Sequence, residues 1–227
     1  MNSKKSVVTF DFYGTLVQWH EGLHHFVSAA LESKGQPASA IDSLLHDFHV
    51  KGRALRDAPA YSPYRSILSA SMVWAFGRKG CDFTKDDEDG LIEAIRGLKV
   101  FPEARAVLSR LKAAGLRLAL ISNSDDDIIM PCAAASGLPL DMVITAQQAE
   151  AYKPNPRHFT YAHERLGVAA SDVKHVAASM QLDMAVCKVL SIDAIWVNRR
   201  NEKADNAYRP YEEVRDLVEA ERHIVLA

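Results

Sequence analysis

The chain has 227 residues, enough for one large domain or for a core with a smaller insert. Hydrophobic residues make up 48% of it and charged residues 25%, as in ordinary soluble globular proteins. The net charge of -2 gives no electrostatic indication of binding to nucleic acid or to a membrane, and no apolar run approaches the ~20 residues of a membrane span.

The cysteines and the N-terminus indicate the compartment. Cys81, Cys132 and Cys187 are far apart and odd in number, so they form neither a metal-binding spacing nor a disulfide framework. Residues 1–5 lead straight into a strand-like run, without the apolar stretch and small-residue cleavage site of a signal peptide. We therefore expect a protein of the reducing cytoplasm.

The first predicted strand covers Val7 to Phe10, where Val, Thr and Phe favour a buried, pleated backbone. Asp11 follows it, and Gly14 permits a sharp turn there. Open α/β sheets keep their active sites at the carboxyl ends of strands, so Asp11 is a candidate catalytic residue. The alternative is a turn or helix N-cap residue, a common role for Asp after a strand.

Residues from about 19 to 98 are predicted to form a helical insert, because they carry helical periodicity and almost no strand signal. A loop rich in proline is predicted at 57–63. We therefore assign residues 18–98 to a helical cap domain, and residues 1–17 together with 99–227 to a core domain. The apolar positions that share one helical face are Leu23, Phe26, Val27 and Ala30 in one helix, and Ile67, Leu68, Met72, Val73 and Phe76 in another.

After the insert, helices and strands alternate along the chain. Helices are predicted at 104–114, 125–136, 156–166 and 183–190, and strands at 116–121, 142–145, 173–177 and 194–197. This pattern predicts an α/β fold, a Rossmann-like, doubly wound parallel sheet with helices on both faces and the helical cap inserted after the first strand.

Three further strand ends carry polar residues. Ser122 and Asn123 could bind an anion or orient a carboxylate, or they could cap the next helix. Lys153 precedes two prolines that fix its backbone, which suggests a positioned ammonium rather than an exposed loop lysine. Asp183 begins a predicted helix, where it either joins a site or interacts with the helix dipole. Because the carboxyl ends of parallel strands share one edge of a sheet, these groups and Asp11 can converge there.

These residues resemble the motifs of the haloacid dehalogenase superfamily, over about residues 6–16 and 99–200, and the insert resembles that family's helical cap. In the superfamily's phosphatases the first motif reads Asp-x-Asp, with the second Asp as general acid, and the fourth motif carries a magnesium-binding Asp. Here Tyr13 stands in the place of that general acid, and Ala177-Ala178 stands where the fourth motif carries its magnesium-binding Asp. The Asp-x-Tyr-Gly-Thr motif instead resembles the L-2-haloacid dehalogenases, which implies an enzyme without a metal or other cofactor.

The resemblance also implies roles for the site residues. Asp11 would be the nucleophile that attacks a substrate carbon and forms an ester, which water then hydrolyses at the Asp11 carbonyl. Thr15 would hydrogen-bond Asp11, and Lys153 would lie between Asp11 and Asp183. Asp183, with Lys153, would orient or activate the water. Ser122 and Asn123 would hold the substrate carboxylate or the ester.

Two positions of the core differ from the dehalogenase pattern. Ser179 stands where those enzymes carry an asparagine, and we include it in the catalytic set. Phe159 stands where they carry a tyrosine, six residues after the lysine. Tyr13 is predicted to contact the substrate.

The insert is expected to supply further substrate contacts. Trp19 could form an apolar wall near the attacked carbon, or it could belong to the core. The cap arginine that holds the departing halide has no clear counterpart, and the available cations are Arg53, Arg56 and Arg65. Of these we predict Arg53 and Arg65 as substrate-binding residues.

Four functions remain open from the sequence. The first is hydrolytic dehalogenation of a small 2-haloacid by Asp11, without a metal. The second keeps the ester chemistry but opens a strained small-ring carboxylate, such as an azetidine acid. The others are a small-molecule phosphatase and a non-catalytic member that uses the cap for binding. The expected partner is a small carboxylic acid, with no nucleic acid and no membrane, and related caps suggest a homodimer.

Overall fold

Six parallel strands form the sheet of the computed structural model, which describes residues 6–225. Residues 1–5, on which the expectation of no signal peptide rests, lie outside the described residues. The strands are β1 (Val7–Phe10), β2 (Arg117–Ser122), β3 (Met142–Thr145), β4 (Val173–Ala177), β5 (Asp193–Val197) and β6 (Glu212–Val214).

The order of the strands places a switch point in the middle of the sheet. Neighbouring strands follow the order β3-β2-β1-β4-β5-β6, so the chain builds outward on one side of β1 and then crosses to its other side with β4. In open α/β sheets such a switch point opens a crevice at the carboxyl ends of the two strands concerned. Here these strands are β1 and β4, and the predicted α/β fold is confirmed.

Ten α-helices are found among the described residues, and several of those that follow the insert contact the sheet. No helix of the described chain is long and apolar enough to cross a membrane. The helices are α1 (Trp19–Ser33), α2 (Ile41–Arg56), α3 (Tyr64–Gly77), α4 (Lys85–Arg96), α5 (Ala104–Ala113), α6 (Asp126–Ser136), α7 (Ala146–Ala149), α8 (Pro156–Leu166), α9 (Ala185–Leu190) and α10 (Leu217–Val225).

The described residues divide into two compact units. The first contains the sheet and comprises 6–18, 100–123 and 136–225, and the second comprises 19–99 and 124–135. The second unit therefore contains α1 to α4, as the periodicity predicts, together with nearly all of α6. The predicted domain boundaries place 124–135 in the core instead, and they stay a prediction.

Polar contacts explain why α6 groups with the helices of the insert. The buried Asp125 carboxylate accepts hydrogen bonds from the backbone N–H groups of Tyr64 and Arg65, both at 2.9 Å, and so caps the start of α3. Pro131 lies inside α6 and has no N–H, which leaves the carbonyl of Asp127 without its helical donor. The Arg96 guanidinium donates to that carbonyl at 2.8 Å.

Candidate active site

Asp11 sits directly after β1, and the next four residues hold its side chain in place. Its backbone N–H donates to the carbonyl of Val176 at 3.1 Å, which extends the pairing of β1 with β4 by one residue. Gly14 has a φ of +84°, a left-handed conformation that favours glycine and turns the chain back. The Thr15 hydroxyl then donates to Oδ2 of Asp11 at 2.8 Å and accepts from the Ala178 N–H at 2.8 Å.

Lys153 bridges two carboxylates. Its ammonium donates to Oδ1 of Asp11 and to Oδ1 of Asp183, each at 2.7 Å, and to the carbonyl of Ile121 at 3.0 Å. The lysine side chain is 1% exposed, and those of Asp11 and Asp183 are 10% and 0% exposed. All three N–H donors of the ammonium are therefore satisfied, as a buried cation requires.

Asn123 holds the backbone of Lys153 from both sides. Its Oδ1 accepts from the Lys153 N–H at 2.7 Å, and its Nδ2 donates to the Lys153 carbonyl at 3.1 Å. An amide side chain that pairs with both backbone groups of one residue acts as a clamp, and it fixes the point from which the lysine reaches into the site. The structure thus gives Asn123 a positioning contact, while its predicted contact with substrate stays a prediction.

Asp183 lies in a single π-helical turn, Met180–Met184, that precedes α9. The sequence predicts an ordinary helix from residue 183, and the wider turn differs from this because the Met184 N–H bonds back to the carbonyl of Ser179. Such turns occur mostly as local bulges and often at functional sites. Oδ1 of Asp183 accepts from Lys153 and lies 3.0 Å from Nε2 of His175.

His175 and Thr9 also belong to this cluster, although neither is among the site residues predicted from the sequence. Thr9 of β1 and His175 of β4 are direct partners across the parallel pair, and both are fully buried. Oγ1 of Thr9 lies 2.8 Å from Nδ1 of the histidine. A histidine in the middle of a buried strand needs polar partners, and this requirement is the signal that could identify it.

The pKa values of the three charged groups follow from burial and from one another. Burial raises the pKa of the Asp11 carboxyl above its ordinary 3.8, despite the opposing effect of Lys153. Burial acts in the same sense on Asp183, but Lys153 and His175 outweigh it and hold the pKa of Asp183 below its ordinary value. Burial opposes the charge on Lys153, and the two carboxylates overcome it and raise its pKa.

Comparison with known proteins identifies the family. The family model for haloacid dehalogenase-like hydrolases matches residues 5–191. The chain belongs to this family.

Named relatives of this hydrolase cover most of its length. The (S)-2-haloacid dehalogenase 4A of Burkholderia cepacia is 26% identical over 204 residues, which are 88% of this chain and 86% of the relative. The haloacetate dehalogenase H-2 of a Moraxella species is 25% identical over 199 residues, 86% of this chain and 87% of the relative.

A solved structure shares the fold. The structure of L-2-haloacid dehalogenase from Xanthobacter autotrophicus with chloropropionic acid covalently bound has a TM-score of 0.83 and 19% identity to this chain, covering 96% of it and 98% of that protein.

The remaining predicted site residues of the hydrolase's sheet unit differ in their burial and in their contacts. Oγ of Ser122 is buried at the end of β2 and has no hydrogen-bond partner within residues 6–225. Ser179 caps the π-helical turn, since its hydroxyl accepts from the Leu182 N–H at 3.2 Å. Tyr13 is half-buried and packs edge-on against Phe12, with ring centroids 5.3 Å apart. The structure therefore gives Ser179 a capping contact, and its catalytic role stays a prediction.

Three predicted substrate-binding residues lie in the helical unit of the hydrolase. Trp19 is buried and lines a narrow apolar crevice with residues of α1 and α4. Arg53 is exposed on α2. The Arg65 guanidinium pairs with Asp127, a surface contact of small energetic weight. Their roles in binding substrate stay predictions.

The residues of the site do not fit the magnesium ion of the family's phosphatases. The Lys153 ammonium already pairs with one oxygen of Asp11 and one oxygen of Asp183, each at 2.7 Å. Ala178, where the phosphatases carry a further ligand, has no donor atom in its side chain. Within residues 6–225, no group of three or more His, Cys, Asp or Glu residues is arranged to hold a metal.

Proposed function

We propose that the protein hydrolyses small 2-haloacids through a covalent ester on Asp11, without a metal ion. The observation that carries the proposal is the buried Lys153 ammonium, which lies 2.7 Å from each of two carboxylates. The positive charge offsets the repulsion between the two carboxylates, so that Asp11 can act as a nucleophile and Asp183 as a base in the same small site. The names of the relatives, dehalogenases of 2-haloacids and of haloacetate, support this substrate class.

The first step forms the ester. An oxygen of the Asp11 carboxylate attacks the halogen-bearing carbon, a new C–O bond forms, and the C–halogen bond breaks with its electron pair leaving on the halide. Thr15 and Lys153 hold the two Asp11 oxygens at 2.8 Å and 2.7 Å and so fix the direction of attack. The nucleophile must be ionised, and the hydrogen bonds from Thr15 and Lys153 favour the charged carboxylate against the burial that raises the pKa of Asp11.

The second step hydrolyses the ester. Water attacks the carbonyl carbon of Asp11 and gives a proton to Asp183, whose Oδ2 is buried and has no hydrogen-bond partner among residues 6–225. The bond between that carbonyl carbon and the substrate oxygen then breaks. The alkoxide takes the proton from Asp183, the 2-hydroxyacid leaves, and one further proton is released as the Asp11 carboxylate is restored.

The relatives do not support the ring-opening alternative, since their names describe dehalogenases. The bridging ammonium and the alanine at position 178 argue against phosphate ester hydrolysis, a reaction that usually needs a divalent cation.

The test combines product analysis with trapping of the ester. Purified protein is incubated with 2-chloropropionate and with chloroacetate, and chloride and hydroxyacid are measured in equal amounts over time. Asp11→Asn should abolish turnover, because the amide has a similar shape but is a poor nucleophile. Asp82→Asn, which changes an exposed aspartate of the insert, should leave turnover unchanged. Release of neither halide nor hydroxyacid by the native protein would contradict the proposal.

Isotope labelling tests the covalent step itself. In a single turnover in H₂¹⁸O with enzyme in excess, the label should enter Asp11, and the product hydroxyl should carry ¹⁶O. Direct attack of water on the substrate would put ¹⁸O into the product at once and leave Asp11 unlabelled. That result would replace the nucleophilic role of Asp11 by general-base catalysis.

A homodimer in the cytoplasm remains part of the proposal. On α2 and α3, the side chains of Val50, Val73 and Trp74 are 55%, 51% and 48% exposed. Large exposed apolar side chains on adjacent helices are typical of an interface. Light scattering of the purified protein measures the mass of the particle directly, and a monomer at micromolar concentration would contradict the dimer.

A further inference from the structure

Thr9, His175 and Asp183 form a buried hydrogen-bonded chain that the proposed steps do not use. Thr9 and His175 lie on a sheet face among apolar neighbours such as Val7, Val173 and Ala177. On such a face a histidine without hydrogen-bond partners would lower the stability of the fold, because its polar ring is removed from water. Its Nδ1 lies 2.8 Å from the Thr9 hydroxyl and its Nε2 3.0 Å from Oδ1 of Asp183.

The chemistry of the partners defines the proton positions. An ionised carboxylate can only accept, so Nε2 of His175 carries the hydrogen of the bond to Asp183. In the neutral ring Nδ1 is then an acceptor, and the Thr9 hydroxyl donates to it. The Asp183 carboxylate therefore selects this neutral tautomer, and the Thr9 hydroxyl stabilises it by donating to Nδ1.

The contacts of Asp183 are strongly one-sided. Oδ1 receives both the Lys153 ammonium and the His175 N–H, whereas the buried Oδ2 has no hydrogen-bond partner among residues 6–225. Two donors converging on one oxygen fix the rotation of the carboxylate. They leave both lone pairs of the other oxygen for a water molecule.

We propose that His175 is a positioning residue for ester hydrolysis: held by Thr9, it orients Asp183 so that Oδ2 receives the proton of the attacking water. The inference rests on the proposed function and assigns His175 to its second step alone. Among the described residues His175 contacts Thr9, Asp183 and Phe159 but not the nucleophile Asp11, so ester formation should not need it. The Phe159 ring packs against the imidazole in a T-shaped arrangement, with centroids 4.9 Å apart, and helps to hold its plane.

The experiment separates the two steps in a single turnover with 2-chloropropionate, followed by rapid quenching and mass spectrometry of the protein. His175→Leu should slow ester hydrolysis about 10- to 100-fold, the weight of a hydrogen bond to a charged group. Ester formation should change little, so the ester accumulates. In the steady state kcat and KM should fall together, which leaves kcat/KM nearly constant.

Conservative variants and a matched control sharpen the test. His175→Gln can place an amide N–H near the position of Nε2 and should restore part of the rate of ester hydrolysis. Thr9→Val should slow that step in the native background and add nothing in the His175→Leu background, because both changes remove the same chain. His163→Leu makes the same change at another buried histidine of the sheet unit, on α8, and should leave the ratio of the two rates unchanged.

Three results would overturn the inference. His175→Leu could slow both steps equally, which would make the histidine a structural support of the whole site. It could leave ester hydrolysis at the native rate. If the native protein formed no ester at all, the proposed function would fail first, and this inference with it. The ratio of the two rates is measured within one population of active molecules, so a loss of folded protein does not imitate the expected effect.

Discussion

The Lys153 ammonium connects three different segments at the carboxyl edge of the sheet. It reaches the residue after β1, the carbonyl of Ile121 in β2, and the π-helical turn after β4. Breaking a buried ion pair by removing one partner typically costs about 3–5 kcal/mol, because the remaining charge stays buried without compensation. Lys153 therefore holds the site together as well as taking part in its chemistry.

Replacement of Lys153 should be severe whichever residue is used. Lys153→Ala leaves two buried carboxylates facing one another, and we expect no measurable turnover and a loss of about 3 kcal/mol in the free energy of unfolding. Lys153→Arg keeps the charge, but a planar guanidinium cannot direct three N–H groups to the same partners, so activity should also fall, by a smaller factor. Halide release and urea unfolding measure both effects. Near-native turnover of Lys153→Arg would mean that only the charge matters.

The raised pKa of Asp11 predicts the acid side of the pH profile. The nucleophile must be ionised, and kcat/KM therefore falls as the pH drops through the pKa of Asp11 in the free enzyme. Since burial raises that pKa, the acid limb should lie above 3.8, the ordinary value for aspartate. Rates of halide release at low substrate concentration give the profile. A kcat/KM that stays constant down to pH 3.8 would contradict the raised pKa.

The bridging ammonium also predicts the response to chelators. Because Lys153 already pairs with both carboxylates and Ala178 offers no metal ligand, turnover of haloacid should survive EDTA and should not rise when Mg²⁺ is added. The control is the same preparation assayed with a phosphate ester, for which we expect no hydrolysis under either condition. A strict requirement for Mg²⁺ would instead indicate the phosphatase reaction.

The meeting of Asp11, Lys153 and Asp183 could be predicted from the sequence because each follows a recognisable strand. His175 could not be assigned in the same way, since it lies inside a strand and looks like one polar residue in a buried run. Its meaning depends on the register that places Thr9 directly beside it. The clamp formed by Asn123 could not be predicted for a similar reason, because its partner, Lys153, is thirty positions away along the chain.

At the scale of elements, strands β1 to β5 were predictable and the edge strand β6 was not. The predicted ranges of β3, β4 and α8 agree with the structure, because β-branched runs and flanking glycine or proline mark them clearly. The three residues of β6, Glu-Glu-Val, carry no strand pattern, and only pairing with β5 makes them a strand. The π-helical turn could not be predicted from the sequence, because widening the helix by one residue in a single turn leaves the helical periodicity almost unchanged.

The cap that Asp125 forms on α3 yields a prediction for this scale. Asp125→Ala removes the acceptor for two backbone N–H groups and for the Tyr61 hydroxyl, and we expect the helical unit to lose about 2 kcal/mol of stability. Hydrogen exchange of the Tyr64 and Arg65 amides measures the effect where it arises. Asp42→Ala, which removes an exposed first-turn acid of α2, should change exchange only slightly. Unchanged protection of the two amides would exclude the cap.

At the scale of the whole molecule, buried histidines connect folding to pH. His158 and His163 both lie on the inner side of α8 and are buried. Burial, assisted by the positive charge of Lys153, lowers the pKa of His158 from 6.5 to about 3. Burial also lowers the pKa of His163. Both side chains are therefore neutral in the folded protein under conditions in which the unfolded chain binds protons.

This difference predicts a loss of stability that begins in mild acid, above the ordinary pKa of carboxylates. Between pH 6.5 and about 3 the unfolded state carries a proton on residue 158 that the native state lacks, so stability falls as the pH falls. One such proton corresponds to about 1.4 kcal/mol per pH unit. Urea unfolding of the native protein from about pH 7 down to about pH 4 should show this slope, and His158→Phe should reduce it by the share of one proton. His24→Phe, at an exposed histidine of α1, should leave the slope unchanged. A His158→Phe variant with the full native slope would show that this histidine titrates alike in both states.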